Sequence, residues 1–139
     1  MTLTDYLTHP YTNEDQFTAF TYRYINEAYP CLRHMFFHIA NESATNAIIR
    51  IKLAGMGVLP GVPDFCFLLP YRWFLELKMP HGTLSPKQVA LHQLWTSHGI
   101  PVHVAYTPAQ VIIVLDNVLS LQTVIRVAPI APKNPILCH

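Results

Sequence analysis

Charged residues are scarce in this chain of 139 residues: Asp, Glu, Lys and Arg make up only 12%, whereas hydrophobic residues make up 51%. A typical soluble domain has about 25% charged residues. The apolar surplus therefore predicts that part of the surface is covered by a partner, most simply by a second copy of the chain. The formal net charge of +1 argues against a protein that coats DNA through bulk positive charge.

Long apolar runs and patterned cysteines are also missing. No run approaches the roughly 18 apolar residues that cross a membrane, and the first residues lack the basic and apolar regions of a signal peptide. The three cysteines are spaced for neither a disulfide framework nor a zinc knuckle. We therefore expect no membrane partner and a reducing, cytoplasm-like compartment.

The length fits one α/β domain, 1–139, with its core over about 12–120. Residues 1–11 are predicted to be a loosely held arm, and 124–139 an irregular tail that contains prolines. Apolar periodicity and the positions of Gly and Pro predict the order α-β-α-β-β-α-β-α. The predicted elements are a helix from 12–15 to Pro30, a strand over 32–39 with Met35, Phe36 and Phe37 buried and a break at 41–43, a helix over 44–54, a hairpin over 64–78, a helix from Ser85 to about His98, a strand over 101–105 and an apolar helix over 108–119.

The chemistry is concentrated in the hairpin. Asp64 follows a Gly-Val-Pro turn and opens the first strand, and Glu76-Leu77-Lys78 closes the second. Side chains alternate along a strand, so Glu76 and Lys78 point the same way. In an antiparallel pair, Asp64 then lies beside them. Two carboxylates and one ammonium on apolar strands need compensation, which a divalent metal and a phosphate would supply.

Each of these residues has a simpler interpretation. A Glu-x-Lys pair on a strand is usually a solvated, weak ion pair, and Pro-Asp often begins a turn. Glu14, in the first turn of a predicted helix, is more often a partner of the helix dipole than a ligand. The order and spacing of Asp64, Glu76 and Lys78, in strands with no other acid, favour the catalytic interpretation.

A loop with three glycines precedes the hairpin, and a segment that begins with serine follows it. The loop over 55–61 contains three glycines but has neither a Walker nor a Gly-x-Gly-x-x-Gly pattern. Its position would allow its backbone to approach a ligand closely. After the hairpin, Ser85-Pro86-Lys87-Gln88 has the pattern of a capping box. Gln88 is therefore either a capping residue or a site residue, and the two roles predict different effects of mutation.

These segments together resemble the VRR-NUC branch of the PD-(D/E)xK nuclease superfamily. The resemblance is carried by Asn13-Glu14, the loop over 55–61, Gly61-Val62-Pro63-Asp64, Glu76-Leu77-Lys78, Leu84-Ser85-Pro86-Lys87-Gln88 and the strand entry at 99–102. It covers the chain from Glu14 to about residue 119. It implies a restriction-endonuclease-like α/β core, a small mixed sheet flanked by helices, as in the stand-alone members of phages and bacteria.

The resemblance also implies the site. Similar nucleases bind Mg²⁺ or Mn²⁺ through residues that match Glu14, Asp64, Glu76 and the backbone carbonyl of Leu77. Oxygen ligands suit such hard cations. Lys78 and Gln88 match the residues that act on the nucleophile and the phosphate. The expected activity is metal-dependent DNA endonuclease cleavage in the cytoplasm of a bacterial cell or a phage-infected host, in a repair role or as a Holliday-junction-resolvase-like enzyme.

Other readings of the sequence remain. The histidines form no His-x-x-x-His pair beside a glutamate, and the aromatic side chains of Tyr22, Tyr24, Trp73 and Trp95 favour packing over base stacking. One rival is a catalytically silent nucleic-acid-binding module on the same fold. Another is an interaction protein whose hairpin charges are simply exposed.

The resemblance and the apolar composition together predict a homodimer that cuts branched DNA. Closed two-fold pairing is the commonest assembly, and the apolar helix segment Val111–Leu115 is the expected contact. Pairing would also pool scattered basic residues along two DNA arms. These are Arg23, Arg33, Arg50, Lys52 and Lys87, of which Arg50, Lys52 and Lys87 are the candidate DNA contacts.

Overall fold

A four-stranded mixed sheet forms the centre of the domain in the computed structural model, which describes residues 1–40 and 46–125, with side chains to residue 120. The strand order is β1-β2-β3-β4, antiparallel except for the parallel pair β3–β4. The elements are α1 (Leu3–Thr8), α2 (Glu14–Ala28), a 3-10 turn (Pro30–Leu32), β1 (Phe36–His38), α3 (Ala47–Gly55), β2 (Phe65–Phe67), β3 (Trp73–Leu77), α4 (Pro86–Ser97), β4 (Val102–Ala105) and α5 (Pro108–Ile125).

The predicted hairpin is confirmed. β2 and β3 are antiparallel, with Phe65 opposite Leu75 and Phe67 opposite Trp73. Their connection contains a cis peptide bond between Leu69 and Pro70. Asp64 lies one residue beyond the Phe65–Leu75 pair, beside Glu76. The register of the hairpin thus brings the two acids together.

The two faces of β3 are covered by different helices. On one face, Leu75 and Leu77 are fully buried in a core that includes apolar side chains of α2 and α5. On the other face, Phe74 packs against Trp95 of α4, with their ring centroids 4.6 Å apart. Because both faces are covered, every residue of β3 is buried, including Glu76.

Helix boundaries follow the predicted capping residues. Asn13 accepts a hydrogen bond from the backbone of Gln16 at the start of α2, and Ser85 and Gln88 form the predicted capping box at the start of α4. Gly99, with a φ of 76°, follows the C-cap of α4. These ends obey local rules because capping satisfies backbone groups within a few residues.

The loosely held arm was a wrong prediction for the N-terminal residues. Residues 3–8 form α1, which opens with a capping box between Thr2 and Asp5. Tyr6 is fully buried, and its hydroxyl shares a 2.7 Å hydrogen bond with Thr21 of α2. Its ring also stacks on Tyr24. The burial of Tyr6, together with the contacts of His9 with Phe20 and of Tyr11 with Phe17, therefore attaches a segment whose own sequence has little apolar periodicity.

Three further predictions need correction. Phe37 is 49% exposed rather than buried, since β1 is a short edge strand and alternate residues leave the core. Val111 and Leu115 are fully buried in the chain's own core, so they are unavailable as a contact between copies. The last helix also runs to Ile125, which includes the first two residues assigned to the tail.

Several other predictions concern segments that are only partly described. The break at 41–43 and the tail from residue 126 lie outside the described residues. Cys66 is free and buried. In the described part of the chain, no helix is both long and apolar enough to cross a membrane.

One glycine fixes how the loop before Asp64 sits on α4. Gly61 has a φ of +86°, and a Cβ there would lie 2.9 Å from the carbonyl oxygen of Lys87 and 3.1 Å from the backbone nitrogen of Gln88. The loop backbone thus lies directly against the first turn of α4. Gly57 has a similar φ of +85° but open space around it, so the two glycines form a matched pair.

We expect Gly61→Ala to destabilise the fold by roughly 2–4 kcal/mol, because it adds a steric clash to the cost of a left-handed conformation. Gly57→Ala pays only the conformational cost, about 1–2 kcal/mol. Urea denaturation of both variants measures the difference. Equal losses would contradict the close contact between the loop and α4.

Candidate metal and nuclease site

The structure brings four of the predicted site residues into direct contact. Lys78 Nζ lies 3.3 Å from Glu76 Oε1 and 3.6 Å from Glu14 Oε2. Gln88 Nε2 donates to the same Glu76 Oε1 at 2.6 Å. The residues come from α2, β3, the segment after β3 and α4, so only the tertiary fold assembles them.

Asp64 joins this group through the backbone of the second strand. Its Oδ2 accepts a 2.7 Å hydrogen bond from the backbone N–H of Leu77. Its own carbonyl oxygen accepts from the N–H of Ile39 at 2.7 Å and lies 2.9 Å from His38 Nδ1. Asp64 is therefore held from both neighbouring strands, and its free oxygen is the one that does not face Leu77.

Glu76 is the most unusual group in the site. It is only 2% exposed, and Oε2 is a buried atom without a hydrogen-bond partner. Burial, followed by the charge of Asp64, raises the pKa of Glu76 to about 7, although Lys78 opposes the shift. The simpler interpretation, a solvated ion pair on an exposed strand, is therefore wrong for Glu76.

The pKa shifts of Asp64 and Lys78 also indicate that the site lacks positive charge. Burial raises the pKa of Asp64, while the Leu77 N–H and Lys78 partly offset the rise. For Lys78, burial favours the neutral amine, but Glu76 and Glu14 outweigh it and the pKa is raised. One ammonium thus faces three carboxylates, two of which resist ionisation. A further cation would relieve this imbalance.

The residues fit a magnesium-type ion in part. Mg²⁺ commonly uses one or two carboxylates and retains several waters. Asp64 and Glu76, with the unpartnered Oε2, provide two such ligands. Glu14 is 46% exposed and bound to Lys78, and among residues 1–40 and 46–125 no three His, Cys, Asp or Glu side chains are grouped closely enough to enclose a metal. Glu14 therefore contacts Lys78 here, not the two acids.

The candidate DNA-contact residues are all exposed. Arg50 and Lys52 lie exposed on α3, and Lys87 is exposed in the first turn of α4. Of the aromatic residues, Trp73 and Tyr24 are buried in the core, Trp95 packs on Phe74, and Tyr22 remains 45% exposed. The Tyr22 ring nevertheless packs against Phe36, with ring centroids 5.3 Å apart, so the packing interpretation is confirmed for all four.

Sequence reasoning considered the histidines only as metal ligands, which it disfavoured, and gave no role to two that lie near the site. His38 lies against the carbonyl of Asp64, and His92 is buried on α4 beside the loop that leads to Asp64. His92 follows Gln88 by four residues, so both side chains project from the same face of the helix. That spacing is the signal that could have identified His92.

Gln88 makes both of the contacts that the sequence had left as alternatives. Its Oε1 accepts from the backbone N–H of Ser85 at 2.8 Å, while its Nε2 donates to Glu76. The two ends of one amide thus connect the helix start to the buried acid. A substitution that preserves the acceptor but removes the donor separates the two functions.

We expect Gln88→Glu to lower DNA-cleavage turnover by about 10–100-fold, the usual effect of losing a group that orients a ligand. Glutamate keeps the capping acceptor but places a carboxylate against Glu76 Oε1. At pH 5, where Glu76 with its pKa of about 7 is protonated and can donate to that carboxylate, the melting temperature should change much less than turnover. Ser85→Ala should show the reverse, losing about 1 kcal/mol of stability with turnover intact. If Gln88→Glu cleaves normally, the contact with Glu76 serves only the fold.

Known structures provide an independent comparison. A solved protein described as "VRR_NUC domain protein" superposes on this chain with a TM-score of 0.64 at 18% sequence identity, covering 81% of this chain and 92% of that chain. The chain has a VRR-NUC fold. No family model and no curated protein matches the sequence. The likeness rests on architecture: a mixed sheet flanked by helices, as the sequence resemblance implied.

Within the VRR-NUC fold, the predicted motif residues occupy neighbouring positions at one end of the hairpin. The acids flank the point where Asp64 meets β3, and Gln88 reaches them from α4. Agreement between motif spacing and fold is what makes this cluster the candidate site.

Proposed function

We propose that this VRR-NUC domain is a metal-dependent DNA endonuclease that hydrolyses phosphodiester bonds. The observation that carries the proposal is the buried, unpartnered Oε2 of Glu76 next to Asp64 and Lys78. An acid buried at such a cost needs a ligand that the polypeptide itself does not supply. Mg²⁺ or Mn²⁺ fits that need.

In this proposal, Asp64, Glu76 and the carbonyl of Leu77 hold the metal. When bound, the metal supplies Lewis-acid polarisation of the scissile phosphate. Gln88 orients the Glu76 carboxyl through its hydrogen bond, and the Leu77 N–H orients Asp64. The Lys78 ammonium, half-buried beside both acids, stabilises negative charge that develops on the phosphate. Glu14 holds that ammonium in place from α2.

The alternative is a catalytically silent nucleic-acid-binding or interaction module on the same fold. The intact set Asp64, Glu76 and Lys78 counts against it, because a binding module has no need for a buried acid beside a second acid, since both repel phosphate. Relaxation of supercoiled plasmid in Mg²⁺, Mn²⁺ or EDTA distinguishes the two. We expect cleavage only with metal, and none by Asp64→Ala, which should still bind DNA because phosphate contacts supply most affinity. Cleavage by Asp64→Ala at the wild-type rate would rule out this site.

We also propose a homodimer that favours branched DNA, in a cytoplasmic repair or junction-resolving role. Within the expected contact at Val111–Leu115, Ile113 is 58% exposed, and a larger apolar patch lies on α3 and the loop after it, where side chains are 43–76% exposed at Ile48, Ile49, Ile51, Met56, Val58 and Leu59. No described side chain of α3 is buried. A patch of this kind is typical of an interface.

Light scattering at micromolar concentration, followed by cleavage of matched four-way and linear substrates, tests this assembly. The expected results are a dimer mass and faster cleavage of the four-way substrate. Ile48→Glu with Ile51→Glu should give a monomer, because two charges cannot be buried unpaired. A monomeric wild type, or equal rates on both substrates, leaves only the general nuclease proposal.

A further inference from the structure

His92 is a buried histidine for which neither the motif nor the proposed chemistry has a role. It lies on α4, one turn after Gln88, and is 8% exposed. Residues four apart share a helix face, so the imidazole points to the same side as the amide that contacts Glu76. The side chain thus sits beside the site without belonging to the acidic cluster.

The imidazole is not a satisfied structural group. Its Nε2 makes no hydrogen bond, and in the described part of the chain the only other buried side-chain nitrogen or oxygen atom in this condition is Glu76 Oε2. Leaving a buried polar atom unpaired is costly, and a leucine would fill similar space without that cost. Packing alone therefore does not explain why a histidine occupies this position.

The surroundings of His92 indicate what it holds. The ring interacts with the backbone carbonyl of Gly61, and the Lys78 ammonium is near enough to act on it. Burial and that ammonium lower the pKa of His92, and the Gly61 carbonyl opposes them. Gly61, which precedes Asp64 by three residues, lies in turn against the carbonyl of Lys87. His92 and the helix start therefore contact the same loop from adjacent turns of α4.

We propose that His92 is a positioning residue for the metal site: it keeps the Gly61–Asp64 segment on α4, so that Asp64 stays opposite Glu76. The imidazole acts on Asp64 through the loop and touches neither the acids nor the substrate. This inference rests on the proposed function, because the geometry it maintains is that of the two proposed ligands.

The test is Mn²⁺ binding by titration calorimetry on metal-free protein, with the melting temperature measured in parallel. His92→Leu should weaken Mn²⁺ affinity by about 10–100-fold, with a melting temperature equal to or above that of wild type. His92→Asn and His92→Gln each restore a polar group at one ring position, and rescue of affinity by either supports a contact with the loop. In cleavage assays, the loss from His92→Leu should shrink at saturating Mn²⁺.

Two controls isolate the effect. Leu91→Ala, at a buried position on the same helix, should lower the melting temperature while leaving Mn²⁺ affinity unchanged. His98→Leu, at the exposed end of α4, removes a histidine remote from the loop and should change neither quantity. Mn²⁺ affinity equal to wild type in His92→Leu would overturn the inference, as would an affinity loss that Leu91→Ala reproduces. A wild type that binds no Mn²⁺ and cleaves no DNA would overturn the proposed function and this inference together.

Discussion

Glu76→Gln is expected to abolish DNA cleavage and, at the same time, to raise the melting temperature of the metal-free protein at pH 8. The pKa of Glu76 is about 7 in the fold, against about 4.3 in an unfolded chain. The folded state therefore holds its proton more tightly, and stability falls as pH rises from the unfolded value to the folded one. Above that window, the penalty is complete, roughly 4 kcal/mol. Glutamine does not ionise, so Glu76→Gln does not incur this loss of stability.

Thermal melts in EDTA between pH 5 and pH 8, together with plasmid cleavage in Mg²⁺, measure both effects. The melting temperature of wild type should fall across this range more steeply than that of Glu76→Gln. Asp64, whose raised pKa acts in the same direction, contributes to the remaining slope, whereas His92 and His103, whose pKa values burial lowers, oppose it. Asp15→Asn, which removes an exposed acid from α2, should leave the wild-type slope unchanged. Undiminished cleavage by Glu76→Gln would disprove the role of this carboxylate.

Lys78→Met should reduce the cleavage rate by about 10²–10⁴-fold, the usual scale for losing one transition-state contact. A second effect accompanies it. The ammonium lowers the pKa of Glu76, so its removal should raise that pKa further and shift the onset of activity to higher pH. The rate profile from pH 6 to pH 9 therefore separates loss of Lys78 as a catalytic group from protonation of Glu76.

Lys78→Arg is the matched variant. Arginine keeps the positive charge beside Glu76 and Glu14, but its planar, delocalised head cannot reproduce the compact ammonium. We expect the pH profile of wild type with a reduced maximum. If both variants cleave as fast as wild type over the whole range, the ammonium contributes only to the ion pairs with Glu14 and Glu76.

The ion pairs of Lys78 show how the acids of the site affect stability. Removing a partner from a buried charge is usually more destabilising than removing both. Here Lys78 is shared between Glu76 and Glu14, so its loss leaves one buried and one exposed carboxylate unpaired. We therefore expect Lys78→Met to destabilise the fold, whereas Glu76→Gln stabilises it. If the two substitutions change the free energy of unfolding in opposite directions, the metal-free site lacks positive charge, as expected of residues that bind a cation.

The amino-acid sequence by itself determined the features that depend on near neighbours. Asn13, Ser85 and Gly99 mark helix ends because capping groups satisfy backbone atoms within three or four residues. The alternation of Leu75, Glu76 and Leu77 set the faces of β3, and the Gly-Val-Pro turn set where β2 begins. Motif spacing then identified Asp64, Glu76, Lys78 and Gln88 as one group, and the fold brings them into contact.

Features that depend on distant residues were decided only by the tertiary structure. Whether residues 1–11 were loose or packed depended on Tyr6 meeting Thr21 and Tyr24 across the fold. Similarly, only the fold shows that Val111 and Leu115 of the apolar helix α5 complete the chain's own core, whereas Ile113 of the same helix and the apolar side chains of α3 are exposed. Periodicity shows that a face is apolar, not what covers it.

The same limit applies to the site. The sequence of a Glu-x-Lys pair is the same whether the pair is exposed or buried. Glu76 is removed from water only because helices cover both faces of β3. That burial raises its pKa and leaves Oε2 without a partner. Glu14 was placed among the ligands by resemblance, yet in the fold it reaches Lys78 because α2 starts on that side of the ammonium. Local sequence patterns identified the site residues, and tertiary packing determined which of their charged forms are favoured.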